Sequence, residues 1–225
     1  MKNKKLLIYH GSISIIEKPI FGFGKIHNDY GLGFYCTESL ELAKEWAVTD
    51  KNDGYANKYV LDTTGLKILD LTKTGNVLHW ITVLVKNRVF GINSQIALAA
   101  KDYLIKHFSL PIEEYDVIKG YRADDSYFQY ARSFLNNTIS VRTLKEALKV
   151  GNLGEQIVLI SEKAFSHISF LGYEEAKSAK YYPLRAERNE KANKAYSKCL
   201  SLRYKEEDIF IRDIMKGMRE DDLRL

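Results

Sequence analysis

The stretch Asp29–Ala47, DYGLGFYCTESLELAKEWA, decides how the chain reads. Tyr30-Gly31-Leu32-Gly33 is a turn signal, and two glycines around one apolar residue imply backbone that bends sharply or lies against something. Phe34-Tyr35-Cys36-Thr37 is aromatic and β-branched, the composition of a short strand. Thr37 or Ser39 can cap a helix, with Glu41 as a first-turn acid. Leu40, Leu42, Ala43, Trp46 and Ala47 then recur at helical spacing. The unit is glycine turn, strand, cap, helix. Next to the glycines, the strand end offers backbone that a planar ligand can approach.

Upstream, Leu6-Leu7-Ile8-Tyr9 reads as a short apolar strand that runs into His10-Gly11-Ser12. A histidine at a strand end before a glycine is a positioned imidazole. Taken alone, it reads equally well as a turn residue holding local backbone.

Together the two pieces say more. Leu7-Ile8-Tyr9-His10-Gly11-Ser12, then Gly31-x-Gly33-Phe34-Tyr35-x-Thr37 and a helix carrying alanines and a tryptophan, resemble the ADP-ribosyltransferase fold. The likeness is to its His-Tyr-Glu branch, which includes the poly(ADP-ribose) polymerases and diphtheria-type toxins. It is closest in detail to a bacterial family of uncharacterised domains on that fold, often encoded beside small partner proteins. The resemblance covers roughly residues 5–172. It implies an α+β fold with a split β-sheet core, surrounding helices and a helical C-terminal extension. It also implies that NAD is a co-substrate. His10 would hold the adenosine-side ribose, the Gly11 backbone the nicotinamide amide, and the Tyr35 ring would stack on the nicotinamide, with Ser12 and Gly33 beside them. The chemistry suits these roles: imidazole bonds a hydroxyl, glycine admits close backbone, and a phenol offers a flat face.

The branch's third residue should open a later strand, and Gly154-Glu155-Gln156-Ile157-Val158-Leu159-Ile160 is such a strand, followed by Ser161-Glu162-Lys163-Ala164. The polymerase pattern, Glu then any residue then Ile-Val, selects Glu155. The uncharacterised family has Gln before an apolar pair and then a Ser/Thr-Glu-Lys-Ala segment, which selects Gln156. Adjacent strand residues face opposite ways, so without a bulge only one of the two enters the site. The longer match favours Gln156, with Glu155 as the rival. A glutamate supplies negative charge as nicotinamide leaves; a glutamine orients without it. That difference weighs against polymer synthesis more than against single transfer.

The remaining composition is permissive. The 225 residues carry a net charge of +5 and 45% hydrophobic residues, enough for one sizeable core. Cys36 and Cys199 lie far apart in no metal or redox spacing, which suits a reducing cytoplasm. No apolar run reaches membrane-spanning length, and Met1-Lys-Asn-Lys-Lys lacks the apolar core of an export signal. A soluble cytoplasmic protein with no metal is expected.

Ile13–Asn28 reads as loop over the cleft, Tyr59–Asp62 and Leu66–Leu71 as strands, and Val77–Lys86 and Ser94–Phe108 as helices, with His79 a structural histidine. Tyr115–Lys119 reads as a strand ending at Gly120. Between it and a helix over Phe128–Asn136 comes Gly120-Tyr121-Arg122-Ala123-Asp124-Asp125-Ser126-Tyr127. Its acids and serine serve as helix caps. A similar Ala-Asp-Asp segment in the related family implies that Arg122, Asp125 and Tyr127 line the site near the NAD phosphates or the target. Val141–Val150 reads as a further helix.

Residues 1–172 are therefore expected to form the NAD-binding domain, and 173–225 a basic helical extension packed on it. From Lys177 through Lys205 nine Lys/Arg face two Glu, with Tyr181, Tyr182, Tyr196 and Tyr204 interleaved. Such a helix can track phosphates and stack on bases, or simply be solvated and packed by its tyrosines. The enzyme reading is an NAD-dependent mono-ADP-ribosyltransferase, a toxin of the toxin–antitoxin or phage-defence kind. Its acceptor would be RNA, DNA or protein, and a small inhibitory partner protein would accompany it. The alternative is a non-catalytic nucleotide- or RNA-binding module on the same fold.

Overall fold

The computed structural model describes residues 5–73, 76–89, 91–123, 125–150, 154–200 and 204–217; of 125–127, 148–150 and 199 it describes the backbone. The elements are β1 (Lys5–Ser12), β2 (Phe34–Cys36), α1 (Leu40–Ala47), β3 (Gly54–Asp62), β4 (Ile68–Asp70), α2 (Val77–Asn87), α3 (Gln95–Phe108), β5 (Val117–Tyr121), α4 (Asp125–Leu135), α5 (Val141–Val150), β6 (Glu155–Leu159), α6 (Glu162–Ser166), β7 (Ile168–Ala176), α7 (Ser178–Leu200) and α8 (Ile211–Met215). The fold is α+β, with two small sheets. The chain divides into two compact units: Met1–Asp70, Pro111–Arg122 and Gly154–Arg188 form one, and Leu71–Leu110, Ala123–Leu153 and Asn189–Leu225 the other.

The first unit holds both sheets, ordered β1-β3-β7 and β2-β6-β5-β4. A single bridge, Tyr9 to Thr37, joins them, its two backbone bonds 2.8 and 2.9 Å long. Side chains alternate along each strand. Phe34 and Cys36 on β2, Ile157 and Leu159 on β6 and Val117 on β5 therefore share one face, and they close on Ile8, Tyr59 and Leu61 of the other sheet as one buried core. Tyr35, Gln156, Val158 and Gly120 share the opposite face. Helix α1 starts at Ser39, whose hydroxyl accepts from Leu42 N. It lies so close to β1 that a Cβ on Gly11 would stand 2.1 Å from the Ala43 carbonyl oxygen.

The strand Glu155–Leu159 is interior to its sheet and does not lie beside the strand that carries His10. Its neighbours are β2 and β5, because β2 takes the place between it and β1. One element is longer than the sequence suggests: β3 begins at Gly54 rather than Tyr59. β7, which the sequence reading does not mark, runs through Gly172 to Ala176, and the β3 register shifts between Lys58 and Tyr59. Gly172, at φ 129°, is thus a bulge glycine and not a strand end. Helix α7 follows. Its buried and half-buried residues, Tyr181, Arg185, Arg188, Ala192 and Tyr196, recur at helical spacing, while Lys180, Lys191, Lys194 and Lys198 are exposed. Tyr181 joins the cluster of Ala47, Val48 and Ala176. Of Tyr181, Tyr182, Tyr196 and Tyr204, only Tyr182 and Tyr204 are exposed, and Tyr204 packs edge-on against Phe210. No helix among the described residues is long and apolar enough to cross a membrane.

The second unit is helical and built on α2, with Leu78, Trp80, Ile81, Val83, Leu84 and Val85 buried and Asn76 capping its start. His79 is structural, its Nδ1 bonded to the Phe108 carbonyl at 2.9 Å. The connection into α8 is held to α5 by a forked ion pair: Arg142 Nε and Nη2 each donate to Asp208 at 2.7 Å. The Asp208 side chain is 1% exposed. The Arg142 hydrogen bonds, acting against burial, bring its carboxyl down to about 2. Because this folded value lies below the ordinary 3.8, the pair stabilises the fold above pH 3.8 and the gain is lost as pH falls toward about 2. Asp208→Asn should therefore cost about 3 kcal/mol at pH 7 in denaturant melts. The stability curves of variant and wild type should converge on acidification below pH 3.8.

Candidate functional site

The site belongs to the first unit and is built around the turn before β2. Gly31 N donates to Asn28 O at 3.0 Å, closing a turn through Asp29 and Tyr30, and Gly31 takes a φ of 78° that side-chain-bearing residues rarely adopt. Gly33 performs the other glycine function: a Cβ there would stand 2.6 Å from Val158 Cγ1 and 2.9 Å from Leu159 O, so its backbone lies directly on β6. The Tyr35 hydroxyl then clamps the turn, accepting from Tyr30 N at 3.1 Å and donating to Gly31 O at 2.6 Å. Tyr30 is buried over Gly120, and its own hydroxyl donates to Tyr121 O at 2.6 Å.

This clamp delivers Asp29 to Gln156. Both are buried, at 6% and 5% exposure, and Gln156 Nε2 donates to Asp29 Oδ2 at 3.1 Å. With the amide nitrogen donating to Asp29, the amide oxygen points away from it. That oxygen, Gln156 Oε1, is buried and meets no donor among the described residues. An unmade buried hydrogen bond of this kind costs about 1–3 kcal/mol, and native structures hold few of them. Glu155 faces the other way: it is exposed and paired with Lys119 at 2.7 Å, which also holds Glu38 at 3.0 Å. Burial works against the Lys119 charge, but these carboxylates outweigh it and raise its pKa.

A family profile described as "Protein of unknown function (DUF3990)" matches residues 6–170. The chain belongs to that family. No curated protein and no solved structure matches it. In this DUF3990 chain the matched span contains Asp29, Tyr35 and Gln156 and ends within β7.

His10 also lies in the span and reaches the same clamp. Its ring stacks on Phe34 at 4.4 Å, and its Nδ1 lies 2.7 Å from Tyr35 O. A carbonyl only accepts, so Nδ1 carries the proton. Burial lowers the pKa against this hydrogen bond, which raises it. The neutral ring is therefore the favoured form, with a lone pair at Nε2.

Gly11 contributes its backbone. Tyr9 N and O point at Thr37, and strand backbone repeats every two residues, so Gly11 N and O point the same way, into the gap where β1 and β2 diverge. Ser12 pairs with Tyr55 at the end of β1, and its hydroxyl accepts from Ser14 N. Arg122 N donates to Gly154 O, and its guanidinium lies over the Trp46 ring at 4.8 Å. Asp125 and Tyr127 fall in the first turn of α4, in the second unit, and their side chains lie outside the described residues. Cys36 is fully buried, and burial raises its thiol pKa, which removes it from nucleophilic chemistry.

Three residues that build the site carry no signal in the sequence. Asp29 and Tyr30 read there as turn residues. Asn57 reads as an unremarked polar residue, yet it is fully buried and takes Ile16 N at 2.8 Å while donating to the carbonyls of His10 and Ser14. It ties the His10 backbone on β1 to the loop that follows the strand.

Two tests follow from the clamp. Tyr35→Phe removes one acceptor and one donor of the turn and should cost about 1–2 kcal/mol, with faster amide exchange at Tyr30. The folded pKa of His10 lies below the unfolded 6.5, so the unfolded chain binds its proton first. Wild type should then lose stability relative to His10→Gln as pH falls below 6.5, and the His10 resonance should titrate below that value.

Proposed function

We propose that this chain is an NAD-dependent mono-ADP-ribosyltransferase that acts as a bacterial toxin on a macromolecular acceptor. The observation that carries the reading is the buried Gln156 Oε1, which meets no donor among the described residues and is set on the same sheet face as Tyr35, whose carbonyl is bonded to His10. The available groups fit the co-substrate. Neutral His10 accepts a ribose hydroxyl at Nε2. The Gly11 N–H and C=O complement a carboxamide, which has one donor and one acceptor group to match. The phenol of Tyr35, held by its hydroxyl, gives a fixed ring for the nicotinamide, and Gln156 Oε1 accepts the second ribose's hydroxyl. Arg122 brings positive charge for the phosphates, with Asp125 and Tyr127 following it in sequence. These groups orient the sugar and hold it while nicotinamide departs.

The acceptor is RNA, DNA or protein, and a small partner protein would restrain the activity in the producing cell. The exposed Lys191, Lys194 and Lys198 of α7 suit an anionic acceptor.

The test uses the purified chain with NAD and a cell lysate. Wild type should release nicotinamide and label a macromolecule, and protease or nuclease should identify which one by removing the label. His10→Ala and Tyr35→Ala should each lower release at least ~100-fold. His10→Ala should remain folded by circular dichroism. NAD binding without release of nicotinamide would instead favour a binding module on this fold.

A further inference from the structure

We infer that Asp29 supplies the negative charge that Gln156 lacks, making Asp29–Gln156 a two-residue substitute for a single glutamate. The inference rests on the reading above and extends it to a residue that the sequence pattern does not mark. The reaction makes the requirement concrete. The bond between ribose C1′ and the pyridinium nitrogen breaks, its electron pair stays on nitrogen, and neutral nicotinamide leaves. Positive charge passes to the ribosyl carbon and ring oxygen. An O–H or N–H of the acceptor, or water, supplies the pair for the new bond and releases its proton to solvent. Nothing is oxidised or reduced. What the protein must provide is a negative group near the developing charge, and a glutamine alone is neutral.

Among the described residues, a carboxylate is bonded to that glutamine. Asp29 Oδ2 accepts from Gln156 Nε2 at 3.1 Å, and both side chains are at least nine-tenths buried, where water does not screen the charge. A carboxylate bonded to the amide nitrogen pulls the proton side of the amide toward itself and enriches the amide oxygen, the atom left without a donor. Asp29 thus acts through Gln156 as a positioning residue: it fixes which atom of the amide faces the substrate and loads that atom with charge. The rival carboxylate, Glu155, is exposed and neutralised by Lys119 at 2.7 Å. Asp29 in turn is held by the Asn28–Gly31 turn that the Tyr35 hydroxyl clamps, so the charge and the aromatic ring are placed by one set of bonds.

The experiment moves the charge across the hydrogen bond. Asp29→Asn keeps an acceptor for Gln156 Nε2 and removes only the charge. Nicotinamide release from NAD should fall ~100-fold in kcat with the dissociation constant for NAD unchanged. The double variant Asp29→Asn with Gln156→Glu carries the carboxylate on the other partner and should recover to within tenfold of wild type, a rescue that a purely structural Asp29 would not produce. If Asp29→Asn is thermally unstable, Asp29→Glu is compared with Asp29→Gln, which match in length and differ in charge; the Glu variant should turn over at least ten times faster. Wild-type kcat in Asp29→Asn, a folded double variant that recovers nothing, or equal rates for the Glu and Gln variants would each overturn the assignment while leaving the transferase reading intact. A wild-type chain that neither binds nor cleaves NAD would remove both.

Discussion

One phenol hydroxyl carries the local order of the candidate site. Tyr35 Oη accepts from Tyr30 N and donates to Gly31 O, so it ties the turn to β2 while the Tyr30 hydroxyl ties it to Tyr121 of β5. The turn matters because of what it aligns. Asp29 meets Gln156 across 127 positions of chain, and closing a loop of that length on one hydrogen bond would not repay its entropy. The cost is met by the sheet: β2 and β6 are paired at Tyr35↔Val158, Gly33 lies flat on β6, and the turn needs only its last few residues fixed. Tyr35 is therefore held at its backbone by the sheet, to which the ring nitrogen of His10 also bonds, and at its far end by the turn.

Much of the fold is legible in the sequence where local chemistry is sufficient. Ser39 caps α1, Ser94 caps α3, and β6, Glu155–Leu159, falls inside the Gly154–Ile160 stretch read as a strand. The glycine pair was readable too, Gly31 as the bend and Gly33 as the close approach. The failures occur where a tertiary partner overrides the local signal. The strand β7 has no mark in the sequence reading; pairing with β3 carries it through the irregularity at Gly172. The first half of β3, Gly54–Lys58, has no alternating apolar pattern because it is covered on one side by α1 and spends a buried position on Asn57. The tail's charge and tyrosines suggested a stacking surface, but Tyr181 and Tyr196 face inward, the latter edge-on to Tyr130 at 4.7 Å. Composition gives the residues of a helix; the spacing of its packed stripe decides which of them are left outside.

The candidate site was legible to a different degree. His10, Tyr35 and the residue pair Glu155–Gln156 stand at strand ends beside glycines, a pattern visible in one dimension. Which member of the pair turns toward Tyr35 is a matter of register, and register is set by β2 and β5 rather than by β6 itself. Asp29 could not be found this way. An aspartate in a turn is the ordinary residue for a turn, and its contact with Gln156 exists only once three strands and the clamp are assembled.

That contact also explains why position 156 carries an amide. Suppose a carboxylate stood there, as in the single-glutamate pattern. It would lie about 3 Å from Asp29 in a site with little water, and two carboxylates so placed do not both ionise; one pKa rises and the pair shares a proton. The site would then hold a single net charge, divided over two residues and dependent on pH. With Gln156 a single ionisable group remains, Asp29, the amide proton occupies the place of the shared proton, and the buried amide oxygen is left as an acceptor. A glutamine at this position is therefore no simple loss of charge. Given a buried aspartate behind it, the amide is the choice that keeps one negative group, one defined orientation and one open acceptor in the smallest space.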